Sequence, residues 1–281
     1  MIREIDTAVI TEEIKKLCIS VNYELSPDMC KILADAKERE SSELGGKVLS
    51  TLSENLIIAK KEQIPICQDT GMAVVFLEIG QDVHFTGLSV EEAVNKGVCA
   101  GYTEGFLRKS VVSDPIERVN SGDNTPAVVH YRIVPGDKVK ITVAPKGFGS
   151  ENMSKVYMLK PADGIEGVRN AILSAVKDAG PNACPPMFVG VGVGGTFEKA
   201  ALMAKEALTR PIEDEAKAPW ARDLEKDILK EINALKIGPA GLGGDTTALA
   251  VKVNSYATHI AGLPVAVNIC CHVNRHGCVE I

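Results

Sequence analysis

Aromatic residues are scarce in this chain. They make up 4% of it, with a single tryptophan, which leaves few platforms for stacking bases or sugar rings. An excess of positive charge is also missing. Lys and Arg number 31 against 37 Asp and Glu, a formal net charge of −6. That balance gives no electrostatic reason to expect nucleic acid or an anionic membrane as partner. No uncharged run reads as membrane-spanning, since the longest near the end is broken by His259, Gly262, Pro264 and Asn268. The start, MIREIDTAVITEEIKKL, mixes charges where a signal peptide would be apolar. A cytoplasmic location is the expectation, and thiols stay reduced there.

C-x-x-C spacing is absent too, which excludes zinc fingers, ferredoxin-type clusters and thioredoxin motifs. Yet the chain holds eight cysteines. In a reducing compartment these are core thiols, catalytic groups or metal ligands sooner than disulfides. Any metal site would be assembled from distant cysteines. Two of them are adjacent, Cys270 and Cys271, where the apolar run IAGLPVAV passes into NICCHVNRH. Disulfide geometry resists so small a ring. Both are inert core thiols, or one of them holds something.

What is present is material for a real core: 45% of the 281 residues are apolar. No low-complexity linker, repeat or charge block marks a boundary, so residues 1–281 read as one domain. The first 63 residues carry apolar positions at helical spacing in three stretches. PICQDTG is then a loop and MAVVFLEIG a strand. SVEEAVNKGVCAGYTEGFL opens with a serine cap and two glutamates, the signature of a helix start. AVVHYRIV and KVKITVAP flank PGD and predict a hairpin. Helices are predicted over Ile165–Ala179, TFEKAALMAKEAL and Asp223–Leu235, strands over LAVKVNSYA and LPVAVNIC, and a buried strand or glycine turn over MFVGVGVGG. Helices first, then strands and helices mixed, predict an α+β fold.

GVGVGG, from Gly190 to Gly195, matches the dinucleotide fingerprint in form. The acidic residues about 20 positions on, Glu213 to Glu215, follow TRPI, which is no strand, so no βαβ unit closes there. A tight turn with closely approaching backbones explains these glycines better. Cys184 precedes two prolines in NACPPMFVG. Cysteine before proline occurs at iron–sulfur ligands, but on this pattern alone a buried thiol before a strand is the better reading, since free cysteine is among the most buried residue types. In PICQDTG a thiol, an amide and a carboxylate are consecutive in a loop, where chemistry concentrates. Asp69 could equally cap the turn. KGFGSEN and GLGGDTT could each turn backbone N–H groups toward an anion.

Taken in order, PICQDTG, LRKS, PKGFGSENMSK, CPPMFVGVGVGGTFEKAALMAKEAL, GPAGLGGDTTALAV and VNICCHVNRH resemble one family. It is the class I, iron–sulfur fumarate hydratase and L(+)-tartrate dehydratase family, in its α or N-terminal catalytic portion. The resemblance runs from about Ile10 to the C-terminus. It implies a helical N-terminal segment followed by mixed strands and helices around a 4Fe–4S cluster. Three cysteines would hold that cluster and leave one iron open to substrate. Carried over by motif, the ligands are Cys67, Cys184 and Cys271, because the family's last ligand directly precedes the histidine, here His272. Cys270 would be incidental. Gln68, Asp69, Arg108 and Gly149 would bind substrate. Asp69 would exchange a proton with the leaving hydroxyl, and His259 would be a catalytic residue orienting Asp69.

Single-chain members continue into a second domain that completes the site. The end of this sequence at Ile281 therefore implies a separate β subunit and an α2β2-type assembly. The expected reaction is reversible hydration of fumarate to L-malate, with L(+)-tartrate dehydration as the alternative. A non-catalytic iron–sulfur subunit is the rival reading, and Gln68, Asp69, Arg108 and His259 speak against it.

Overall fold

The computed structural model describes residues 2–281. In chain order the elements begin with β1 (Arg3–Asp6), α1 (Thr7–Tyr23), α2 (Pro27–Arg39), α3 (Glu43–Glu62), β2 (Met72–Gly80), β3 (Val83–Thr86) and α4 (Val90–Glu104). Next come β4 (Val128–Val134), β5 (Val139–Lys146), the single turn α5 (Phe148–Glu151), β6 (Lys155–Leu159), α6 (Gly164–Ala179) and β7 (Met187–Gly194). The chain closes with α7 (Phe197–Ala207), α8 (Pro219–Ala234), β8 (Ala248–Tyr256), β9 (Leu263–Cys270) and β10 (Gly277–Glu280). The architecture is α+β, as the order of elements predicts. Sequence reading misses the short strands β1, β3 and β10, four residues each, which are too brief to show a period. Contacts divide the chain into two compact units. One comprises residues up to Ser26, Leu56–Phe148 and Arg275–Ile281; the other comprises Pro27–Asn55 and Gly149–Asn274.

The first unit holds a four-stranded sheet in the order β10-β5-β2-β4. Here the predicted hairpin fails. β4 and β5 do not pair; β2 lies between them, parallel to β4 and antiparallel to β5. The reason is burial. β2 buries Ala73, Val74, Val75, Leu77 and Ile79, so it belongs at the centre, whereas β4 exposes Tyr131 and Ile133 and suits an edge. Glu78 of β2 marks the insertion, standing opposite Arg132 on one side and Lys140 on the other. Its ion pairs measure 3.9 and 3.2 Å, and such exposed pairs set register more than stability. The core under the sheet joins Ile10, Ile14 and Cys18 of α1 to Val94, Val98 and Tyr102 of α4. Ser89 caps α4 with the reciprocal bonds its sequence predicts, together with Glu92.

The second unit holds a sheet in the order β6-β9-β7-β8. β7 is buried at every position, because helices cover both of its faces. Its alternation divides the work. Val189, Val191 and Val193 join the core formed with α6 and α8, through Ile172, Val176, Ile228 and Ile232. Gly190 and Gly192 face α7: a Cβ on either would stand 2.1 or 2.0 Å from the carbonyl oxygens of Ala204 and Ala200. The GVGVGG pattern is therefore a strand that lets a helix backbone close in. The strand and the close approach are as the sequence predicts; the alternative of a tight turn is not, since Gly190 and Gly192 lie inside β7.

Candidate active site

In the first unit, residues 65–71 link α3 to β2 without regular structure. Their backbone groups must find partners elsewhere, and buried side chains supply many of them. The Tyr102 hydroxyl lies 2.9 Å from the carbonyl oxygens of both Thr70 and Gly71. Burial pushes this phenol far above its ordinary range, so it stays a donor. Asn124, fully buried, donates to the Gly71 carbonyl at 3.1 Å. Its own carbonyl accepts the N–H groups of Ser110 and Val111 at 2.6 and 3.2 Å. The Thr70 hydroxyl donates to the Arg108 carbonyl at 3.0 Å. Arg275 donates from Nη2 to the Asp69 carbonyl. PICQDTG and LRKS, far apart in sequence, are thereby fixed to one another.

Within this turn Cys67 and Asp69 are half-buried, while Gln68 and Arg108 are exposed. The Asp69 N–H points at Cys67 Sγ, 3.4 Å away, and that sulfur lies 3.3 Å from Gln68 Oε1. The Asp69 carboxylate caps the turn as one reading of the sequence proposed. Its Oδ1 accepts the Gly71 N–H and its Oδ2 the Phe148 N–H, both at 3.0 Å.

In the second unit the thiols gather at one end of the sheet. Cys184 precedes β7 and Cys271 follows β9; the two strands are antiparallel, with Phe188 opposite Cys270. His272 Nδ1 lies 3.0 Å from the Cys184 carbonyl and ties the two segments together. The bland reading of Cys184 as a buried thiol does not hold, because the residue is exposed with a left-handed backbone (φ 52°). The adjacent cysteines divide as strand geometry requires. Cys270, still in β9, is buried, and Cys271, one residue beyond, is partly exposed. β6 starts at this same end, since Lys155 pairs with Val267, and Gly149 lies just upstream near the Asn182 carbonyl.

His259 does not join them. It is exposed on the loop before β9, and its Nδ1 accepts the Ala261 N–H at 3.2 Å. The eight residues of β9 separate it from Cys271 by about 26 Å at roughly 3.3 Å per residue. It borders an apolar cavity of about 580 Å³ with Val168, Val193, Trp220 and Leu263.

The two glycine-rich turns do present amides to anions, and the anions are the chain's own carboxylates. In KGFGSEN the Phe148 N–H goes to Asp69. In GLGGDTT the N–H groups of Asp245 and Thr246 bind the Glu40 carboxylate at 2.7 and 2.8 Å. Partial burial alone would raise the Glu40 pKa, but these backbone bonds outweigh it and hold the carboxyl below its usual range.

Comparison with known proteins gives the chain a family. The fumarate hydratase family model (Fumerase) covers residues 11–280. The chain belongs to this fumarate hydratase family. As a member it is a hydro-lyase, and its similar relatives share nearly full length. A Methanocaldococcus jannaschii protein, provisionally named L(+)-tartrate dehydratase subunit alpha, is 40% identical over 92% of this chain and 92% of its own. The L(+)-tartrate dehydratase subunit alpha of Escherichia coli strain K12 is 30% identical over 95% of this chain and 89% of its own. Among the described residues of this fumarate hydratase family member, no three His, Cys, Asp or Glu side chains are grouped to hold a metal ion, and no helix is long and apolar enough to cross a membrane. Sequence reasoning missed Tyr102, Asn124, Arg275 and Glu40. Each is a polar side chain whose role is to satisfy a distant backbone, and no local pattern announces that.

Proposed function

We propose that this chain is the α subunit of an iron–sulfur fumarate hydratase, interconverting fumarate and L-malate in the cytoplasm, with residues 1–281 acting as one catalytic domain. The observation that carries the reading is the placement of thiols. Cys184 and Cys271 share one sheet end, joined through His272, and Cys67 sits on a rigid turn with an N–H directed at its sulfur. The donor chemistry fits a cluster: three half-buried or exposed thiols outside regular strands, the soft ligands that iron–sulfur groups take. When bound by Cys67, Cys184 and Cys271, such a 4Fe–4S group supplies a Lewis acid to the hydroxyl that leaves.

The chain's own residues do the rest. Gln68 and Arg108 present an amide and a planar guanidinium suited to a carboxylate. Gly149 offers its backbone N–H. Asp69 retains lone pairs beyond those used by Gly71 and Phe148, and through them it exchanges a proton with the hydroxyl. A role for His259 at the thiol end would require a second copy of this chain, given the 26 Å span estimated from strand rise, which agrees with an α2β2-type assembly. A β subunit would neutralise the second carboxylate, since burying it unpaired costs several kcal/mol, on the order of an unpaired buried charge. The names of the relatives favour a second substrate reading, L(+)-tartrate.

The test is anaerobic reconstitution with iron and sulfide, with and without the β chain, following fumarate, malate and tartrate by ultraviolet absorbance. Turnover should need β, with a deficit of roughly 10²–10⁴-fold in its absence for a lost proton-transfer group, and should fail after aeration. Full turnover by the isolated chain, or by an aerated iron-free one, would overturn the reading. Tartrate turnover without fumarate turnover would select the second substrate.

A further inference from the structure

Two arginines in this protein make opposite use of burial. Arg210 is ion-paired in full: Nε to Asp214 and Nη1 to Glu225, each at 2.8 Å, with further bonds from Nη1 to the Val253 carbonyl and from Nη2 to the Asp214 carbonyl. That is how a structural guanidinium is held. Arg275 is 5% exposed, yet while its Nη2 donates to the Asp69 carbonyl, Nε and Nη1 are buried and have no hydrogen-bond partner. A buried cation is costly unless an anion answers it.

The neighbouring backbone carries no side chain here. A Cβ on Gly147 would stand 3.1 Å from Asp69 Oδ2 and 3.9 Å from Arg275 Nη2, so the glycine leaves a slot between carboxylate and guanidinium. The Asp69 carboxylate accepts the N–H groups of Gly71 and Phe148 instead of bonding the guanidinium. The cation beside the Cys67–Asp69 turn is thus left with donors to spare.

We propose that Arg275 is an anion-binding residue of this site, whose open donors take a carboxylate group of the dicarboxylate substrate at the Asp69 turn. The proposal rests on the hydro-lyase reading for the identity of the anion, and on the buried donors for its existence. Nε and Nη1 are closed to water, so a carboxylate enters with a local opening at Gly147–Phe148. Once in place it forms charge-assisted bonds in a medium where they are strong.

The test uses the full chain alone and then with β. Malonate is the probe, with neutral malonamide as control, and backbone hydrogen exchange over residues 67–71 is the readout. Malonate should slow exchange in the wild type, not in Arg275→Gln, and partly in Arg275→Lys. Gly147→Ala keeps the arginine but narrows the slot, and should weaken the protection by itself; it serves if Arg275→Gln folds poorly. In the cluster-loaded complex, Arg275→Gln should raise KM for the dicarboxylate roughly 10- to 100-fold, the loss expected for a bond to a charged group. Absence of malonate protection in the wild type overturns the proposal. So does unchanged protection and KM in Arg275→Gln with only a lower melting temperature. Failure of the wild-type complex to turn over any of the dicarboxylates would sink the hydro-lyase reading instead, and the exchange experiment would still decide the fate of Arg275.

Discussion

His272 Nδ1 sits 3.0 Å from the carbonyl oxygen of Cys184, across 88 positions of sequence. The bond holds two thiol-bearing segments at one end of a sheet whose strands β7 and β9 run in opposite directions. The consequences can be measured.

Cys67→Ser, Cys184→Ser and Cys271→Ser should each prevent a stable cluster, whereas Cys270→Ser should retain it. Cys270 is buried within β9, so its serine variant should fold less stably by about 1–3 kcal/mol for a poorly partnered hydroxyl. Visible absorbance of anaerobically reconstituted protein reads the cluster, and denaturant melting reads the stability. Cluster loss in Cys270→Ser with retention in Cys271→Ser would reverse the assignment.

Thiol alkylation of the metal-free chain should follow exposure and charge. Cys30, Cys184 and Cys278 are exposed and should label first, with Cys67 and Cys271 slower. Cys18 should resist, because full burial pushes its thiol up to about 12 and the thiolate is the reactive form. Loading the cluster should then shield Cys67, Cys184 and Cys271 while leaving Cys30 and Cys278 reactive. Peptide mass spectrometry after timed iodoacetamide treatment checks the order.

Acid should loosen the second unit through Glu40. Its folded pKa lies below the ordinary 4.5, so the stability it contributes is complete above that value. This contribution is lost as pH falls through the depressed folded value. Thermal melts between pH 6 and pH 3 should show a fall that Glu40→Gln flattens. Equal slopes for the two proteins would remove Glu40 from the account.

Tyr102→Phe should loosen the Cys67–Gly71 turn without touching any thiol. It deprives the carbonyls of Thr70 and Gly71 of their shared donor, at about 1–3 kcal/mol for buried groups left unsatisfied. Faster hydrogen exchange over residues 67–71 and a reduced kcat in the complex are the expected results. An unchanged exchange rate would show that Asn124 and Arg275 suffice to hold the turn.

The sequence by itself determined the long elements and the family. Ser89 and Glu92 announce the start of α4, a short apolar run rich in valine announces β2, and valines at period two announce β7, because capping and strand patterning act over a few residues. It also carried the motifs that hold Cys67, Cys184 and Cys271. Tertiary structure decided which strand lies beside which. β2 lies between β4 and β5 because it is the more buried strand and the central position is the more buried one, a preference that depends on burial and not on the turn at PGD. It also decided what the glycine-rich turns bind: Glu40 and Asp69 reach them from distant positions. Strand length placed His259 at the far end of β9 from Cys271. Burial singled out Arg275, whose unanswered donors can be recognised only when the whole neighbourhood of a side chain is known.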